Sequence, residues 1–416
     1  MGNPTALPVK TFVSLFPVSI FVLVSALATP VSDCRGEEKK PATTTLSVDS
    51  AAFTFSPGNW AGDEGRGGSG YRQTWNPGAY FRVTWEAGKE ASAPVLLLDT
   101  STFDKELFDA PRIAYQLDGV WQGDVPCAEE IVLEGARDSG PHELTVFLKS
   151  SRQTERWGSE GVSGRNVLRV TGLRIGASGT PGVSAPSKKW ALIVGDSITE
   201  GVGAYDLECY SHLVGEGLRE WGYEYGVSAC GWSGWLNRGD KPPGDVPGYY
   251  VIKDSTDGSG GEYVEAESRW NKIDANTSLL DEKGHISATG ATGEEPSVIL
   301  INYGTNDSLW KQNPSDVQSS MKQGLLAVRG AAPEAEIFVL IPFGQYKAEE
   351  LRTAVDAFRE ARPDDDKITI TDLGPDSARA LKVKEGYWGG LHPNPRAHAT
   401  FAAKVLARIG MKLGDM

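Results

Sequence analysis

The sequence is short of the residue types that organise several large functional classes. Its 416 residues hold four cysteines, Cys34, Cys127, Cys209 and Cys230, and no CxxC pair. A disulfide-built scaffold and a thiolate zinc site are therefore excluded as organising principles. Cys209 and Cys230 are the two that a bridge would join in an oxidising compartment, and two buried thiols are the equal alternative. Histidine numbers only five, so imidazole chemistry must be sought among His142, His212, His285, His392 and His398. Positive charge is in deficit: 41 Lys and Arg face 55 Asp and Glu, a formal net charge of −14. Such a surface repels phosphate backbones and anionic membranes, which excludes nucleic acid as a partner. No internal repeat is found.

One long apolar run is present, from Phe12 to Ala28. It ends in Ala26-Leu27-Ala28, an A-x-A cleavage pattern, and residues 1–28 are read as a signal peptide. The run also approaches the roughly 20 residues that span a bilayer, so an uncleaved N-terminal anchor is the alternative. No other membrane association is expected. Residues 29–44 are polar and lysine-rich, a flexible tether. The expected location is secreted or periplasmic.

Apolar residues make up 40% of the chain, enough for true cores, and the length suits two domains. Residues 45–176 read as strands and turns. Phe81, Val83 and Trp85 alternate with Arg82 and Thr84, a period of two. Similar runs at 94–99, 111–117, 130–134, 143–149 and 166–175 are separated by Gly, Pro, Asp and Ser. This spacing predicts an all-β sandwich or jelly-roll domain. Residues 177–187 are small and uncharged, with proline, a linker composition.

The pattern changes over 188–412. An apolar run at 190–194 and candidate strands at 223–229, 298–303, 337–341 and 368–373 alternate with stretches of helical period. Asn313-Pro314 and Asn394-Pro395 each open a helix. Strands alternating with helices predict an α/β fold, a parallel sheet with a helical layer on each face and ligands bound beyond the carboxyl ends of its strands. Residues 238–292 break the rhythm. They form a long Gly-, Asp- and Ser-rich insert that reads as a lid, a binding loop or disorder.

Four short segments carry chemistry. Gly195-Asp196-Ser197-Ile198-Thr199-Glu200-Gly201 follows the first parallel strand and precedes a helix. A serine there lies at the mouth of the sheet near backbone N–H groups that favour negative charge; a plain capping turn is the bland reading. Thr199 replaces the second glycine of a G-x-S-x-G elbow, so this is not the α/β-hydrolase pattern. Gly304-Thr305-Asn306-Asp307 lies at the same edge, where the Asn306 amide can donate to an oxyanion or serve only as a turn. Ala229-Cys230-Gly231-Trp232-Ser233-Gly234-Trp235 ends the second strand, and glycine there lets an N–H approach a reacting carbonyl. Leu391-His392-Pro393-Asn394 precedes the last helix and offers a base for the serine. His212, on a helix, is the rival base.

The order GDSITEG, WSGW, GTND, LHPN resembles the four blocks of the SGNH (GDSL-type) hydrolases over residues 188–412. The resemblance implies a flavodoxin-like three-layer sheet and a serine esterase needing no metal or organic cofactor. It makes Ser197 the nucleophile and His392 the base. The oxyanion hole comprises the Ser197 N–H, the Gly234 N–H and the Asn306 side chain. One departure stands out: the family has an Asp three residues before the His, where this chain has Gly389. A β domain ahead of an SGNH domain is similar to the layout of the carbohydrate esterase family 2 acetyl esterases. In that family a backbone carbonyl can stand in for the acid. The implied partner is an acetylated polysaccharide or oligosaccharide, with Trp232, Trp235, Trp310 and Trp388 as candidate sugar platforms; Tyr387 and Trp270 are further aromatics near predicted loops. The alternatives are a lipase- or thioesterase-type SGNH acylhydrolase and a catalytically weakened carbohydrate-binding protein.

Overall fold

The computed structural model describes residues 42–62, 70–89, 92–104, 110–136, 138–204, 207–236, 246–253, 261–289, 294–372, 387–388 and 391–414, with only the backbone of 387–388. The apolar run at 12–28 and residues 29–41 lie outside the described residues, as do Cys34 and Gly389. Among the described residues no helix is long and apolar enough to cross a membrane.

The β-rich region consists of two antiparallel sheets. One runs in the order Ala61–Gly62, Arg72–Thr74, Leu168–Gly176, Val95–Leu98, Glu130–Val132, with Thr43–Ser47 also on Leu168–Gly176. The other runs Thr180–Pro181, Tyr80–Ala87, Gly140–Ser150, Arg112–Leu117, Val120–Pro126, with Phe53–Phe55 on Tyr80–Ala87. Alternation along the strands is what joins them. Phe81, Val83 and Trp85 from one sheet share a buried cluster with Leu168, Val170 and Leu173 from the other, as the period of two requires.

The α/β region is built on five parallel strands: β1 (Trp190–Gly195), β2 (Glu224–Ala229), β3 (Val298–Asn302), β4 (Glu336–Ile341) and β5 (Ile368–Asp372). Their order is 2-1-3-4-5, the flavodoxin-like arrangement. Among the described residues six helices accompany them: α1 (Ser197–Glu200), α2 (Tyr210–Glu220), α3 (Thr305–Leu309), α4 (Pro314–Ala331), α5 (Ala348–Ala361) and α6 (Pro395–Leu413). Leu192, Val194, Ile299 and Ile301 face Val317 and Leu325 of α4 and Leu351 and Val355 of α5. Their strand neighbours Ala191, Ile193, Val298 and Leu300 face Val214 of α2 and Phe401 and Val405 of α6. Both faces of β1 and β3 are thus buried, and nearly all of β4, which explains their apolar runs, whereas β5 ends on an exposed Asp372. Both Asn-Pro pairs open helices as expected: Asn313 accepts the Ser315 N–H at 3.1 Å, and Asn394 accepts that of Ala397 at 3.0 Å.

The two regions are not strung on a free linker. Residues 41–416 form one compact unit. Within the stretch 177–187, Thr180–Pro181 pairs with Glu86 and Trp85, and the Ser184 N–H reaches the Ala51 carbonyl at 3.1 Å. The outer face of the second antiparallel sheet packs on the α/β region. Tyr80, Ala114 and Phe147 share a buried cluster with Tyr210, Val214 and Tyr225. β2 is an edge strand of the parallel sheet, and a buried edge must find partners for its free backbone groups. Two sandwich asparagines supply them. Asn59 Nδ2 donates to the Val227 carbonyl at 3.1 Å, and Asn76 Oδ1 accepts the Ala229 N–H at 3.1 Å.

The described parts of the insert 238–292 are a packed layer. Tyr249, Tyr250, Val251, Ile252, Ile273, Leu279 and Ile286 join the α4 cluster, and Ser320 Oγ on α4 donates to the Tyr250 carbonyl at 2.6 Å. Its aromatic and β-branched residues are spaced irregularly, so no period marked them as core.

Candidate active site

Because β1 lies between β2 and β3, their carboxyl ends emerge side by side: Gly195 is level with Ala229 on one flank and Asn302 on the other. Strand spacing of about 4.8 Å brings the three following loops together. The chain turns sharply after β1. A Cβ on Gly195 would lie 1.9 Å from Thr199 Oγ1 and 2.8 Å from the Asn302 carbonyl, so only glycine fits. Asp196 then caps α1 by accepting the Ile198 N–H at 2.9 Å. Ser197 stands half-buried as the first residue of that turn.

His392 arrives from the far end of the chain. It lies on a two-residue strand paired with Tyr387–Trp388, just ahead of the Asn394 cap of α6. Ser197 Oγ and His392 Nε2 are 3.0 Å apart, within the reach that proton transfer requires. Burial lowers the His392 pKa from 6.5, and the Glu200 carboxylate opposes that fall. Position 389, where the family carries an orienting Asp and this chain Gly389, lies outside the described residues; a backbone carbonyl or another acid is the expected substitute.

The remaining two loops interlock. Asn306, in the first turn of α3, is buried and donates through Nδ2 to the Ser233 carbonyl at 2.8 Å. Its neighbour Asp307 accepts the Trp235 N–H at 2.9 Å and the Leu236 N–H at 3.1 Å. Gly234 lies in contact with that carboxylate, since a Cβ there would be 2.6 Å from Asp307 Oδ2. Asp307 thus clamps the glycine loop onto the asparagine turn. The sequence held it in plain view in GTND, but no spacing signalled its role.

The aromatic candidates separate. Trp232 is 39% exposed and holds φ at +72°, an unusual backbone for a bulky residue. Trp310 is half-buried at the end of α3. Trp235 is corrected from sugar platform to core: it is fully buried, edge-on to Tyr249 at 5.2 Å. An indole in a strand-following loop can turn inward as readily as outward, and the α4 cluster offers it apolar contact. The Trp388 side chain lies outside the described residues. Trp270 donates through its indole N–H to Tyr263 at 2.9 Å within the insert.

His212 is corrected as a rival base. It is buried against Phe147, 3.0 Å from the Tyr225 hydroxyl, and burial pushes its pKa down to about 4. Cys209 and Cys230 are both buried and not bridged to one another.

A serine hydroxyl touching an imidazole, beyond the carboxyl edge of a five-stranded α/β sheet and beside a buried asparagine, marks the class of carboxylic ester hydrolases. The chain belongs to the GDSL-like lipase/acylhydrolase family, whose model matches residues 192–405, just over half of its length. No curated protein matches the sequence. Solved structures are similar over both regions. An acetyl xylan esterase from the rumen bacterium Butyrivibrio proteoclasticus superposes with a TM-score of 0.62 at 13% identity, covering 90% of this chain and 99% of that one. A family two carbohydrate esterase from Clostridium thermocellum, in complex with cellohexaose, gives 0.56 at 17%, covering 88% and 100%. A salicylyl-acyltransferase from a tetracycline biosynthetic pathway gives 0.56 at 14%, covering 88% and 98%. The two-region layout is therefore that of the family two carbohydrate esterases, shared with an acyltransferase; at such identities the likeness is one of fold.

Proposed function

We propose that the protein removes acetyl or other short acyl groups from carbohydrate hydroxyls through an acyl-enzyme on Ser197. The 3.0 Å contact between Ser197 Oγ and His392 Nε2 carries this reading. Ser197 Oγ attacks the ester carbonyl as its proton passes to His392 Nε2. The tetrahedral oxyanion is held by the Ser197 and Gly234 N–H groups and the Asn306 amide. His392 returns the proton to the departing sugar oxygen. A water, deprotonated by the same imidazole, then attacks the acyl carbon and frees the carboxylic acid. The carbohydrate esterases among the similar structures support a sugar as the alcohol. Trp232, the more exposed of these aromatics, is the first candidate to lie against one, and Trp310 the second. A jelly-roll wrapping of the two antiparallel sheets and export by the 1–28 leader belong to the same reading.

Acetate release from acetylated xylan, mannan and peptidoglycan tests it. At least one is expected to be deacetylated, and aryl acetate to be cleaved faster than aryl octanoate. A preference for octanoate would favour the lipase or thioesterase reading instead, and polysaccharide binding with no acyl release the weakened, binding-only one.

The pH dependence follows from the His392 environment. The base must be unprotonated to accept the serine proton, and burial lowers its pKa from 6.5. The acid limb of kcat/KM is expected below pH 6.5, with activity kept into mildly acidic conditions. A limb at or above pH 7 in a profile from pH 4 to 9 would contradict it.

A further inference from the structure

Glu200 closes the helical turn that begins at Ser197, and it is buried, at 2% exposure. Carboxylates are rarely buried unless paired. Its Oε1 accepts from Arg156 Nη1 at 2.7 Å. Its Oε2 accepts from Gln153 Nε2 at 2.9 Å and from the Gly231 backbone N–H at 3.1 Å. Arg156, itself 1% exposed, lies over the Trp75 ring, 5.0 Å from its centroid. One carboxylate thus joins three distant parts of the chain: the serine turn, the head of the 231–234 loop, and the 153–156 segment of the β-rich region. The loop approaches it closely, since a Cβ on Gly231 would lie 3.0 Å from Glu200 Oε2. α1 also packs against the strand that carries His392.

A buried ion pair is weak ground for stability, because desolvation offsets the attraction. We propose that Glu200 is a positioning residue of the active site: held by Arg156 and Gln153, it fixes the 231–234 loop relative to Ser197 and supplies negative charge that favours the His392 imidazolium. This deepens the proposed function and rests on its Ser197–His392 pairing. The neighbouring charges are consistent with that role. Glu200 is the group whose field raises the His392 pKa against burial. Asp196 and Asp307 lie around the same turn, and burial pushes Asp196 up to about 7. His398 on α6 senses His392, but burial pushes it down to about 3, leaving it neutral. Arg156 opposes Glu200 from the sandwich side. By this arrangement the β-rich region completes the catalytic centre rather than merely accompanying it.

The test compares Glu200→Gln with the double variant Arg156→Gln/Glu200→Gln, which removes both charges together, and with Glu200→Asp, which keeps the charge. In Glu200→Gln the acid limb of kcat/KM on aryl acetate is expected to move down by roughly 0.5–1 pH unit. Its kcat should fall about tenfold with KM changed less than about twofold. The double variant, which also removes the opposing Arg156 charge, is expected to show a smaller shift of the same sign, and Glu200→Asp to keep the wild-type limb. Thermal unfolding is measured alongside. A purely structural pair would lower Tm and leave the limb in place, so an unmoved limb in folded Glu200→Gln overturns the proposal. So does failure of both the single and the double Gln variants to fold, which would make the pair structural. Failure of the underlying pairing shows separately, as activity surviving in Ser197→Ala.

Discussion

Ser197→Ala lowers kcat for acetate release by about four orders of magnitude or more. The expectation follows from geometry and from what the hydroxyl does not do. Its oxygen is 3.0 Å from His392 Nε2, so it is the atom the base can deprotonate. The turn that presents it does not depend on the hydroxyl, because the cap is Asp196 accepting from Ile198. Alanine is also a good helix former, so Tm should stay within about 2 °C of wild type. His392→Ala should fall nearly as far, and the double variant little further, since a nucleophile and its base act as a unit. Comparable turnover of aryl acetate by Ser197→Ala, at matched folded concentration, would remove the catalytic assignment altogether.

Gly234→Ala is expected to damage both turnover and stability. The added methyl would lie 2.6 Å from Asp307 Oδ2 and 2.7 Å from Asp307 Cγ. A flexible neighbour would swing aside, but this carboxylate is pinned by the Trp235 and Leu236 N–H groups. Moving it strands two buried donors, so the loop must shift instead. Overpacking of this kind costs about 1–3 kcal/mol. Displacing an oxyanion donor costs about 10²–10³ in kcat. Asn306→Ala removes a donor without inserting bulk and should lose a similar factor in kcat. Its stability loss should be smaller, confined largely to the bond to the Ser233 carbonyl. Steady-state kinetics with differential scanning calorimetry separates the two. A Gly234→Ala protein with wild-type kcat would mean that this loop does not hold the oxyanion.

The glycines also show how much of the site could be read in advance. GDSITEG, WSGW, GTND and LHPN each follow a predicted strand or precede a predicted helix. In a parallel sheet those positions collect at one edge, which made residues 197 and 392 candidates; their pairing was read from the resemblance of the four blocks to the SGNH hydrolases. The period of two in 81–85 and the apolar runs of β1, β3 and β4 were legible for the same reason: each reports how many faces of a strand are buried. Strands of two or three residues, such as Phe53–Phe55 and Arg72–Thr74, are too short to show a period. The exposed Val120–Pro126 carries no pattern because it buries no face. The described parts of the insert pack against α4, which its sequence did not signal because its core residues follow no period.

Local composition and the spacing of apolar residues thus determined the two architectures, the strand and helix types, and the candidate serine and histidine, because these depend on neighbours within a few residues. Only the tertiary structure decided that Asn59 and Asn76 complete the edge of the parallel sheet, that Trp235 turns inward, that Asp307 clamps the glycine loop, and that Arg156 from the sandwich meets Glu200 beside the serine. Those contacts join residues about 40 to 170 positions apart. They depend on which faces meet after folding, and no local pattern of polar residues records that.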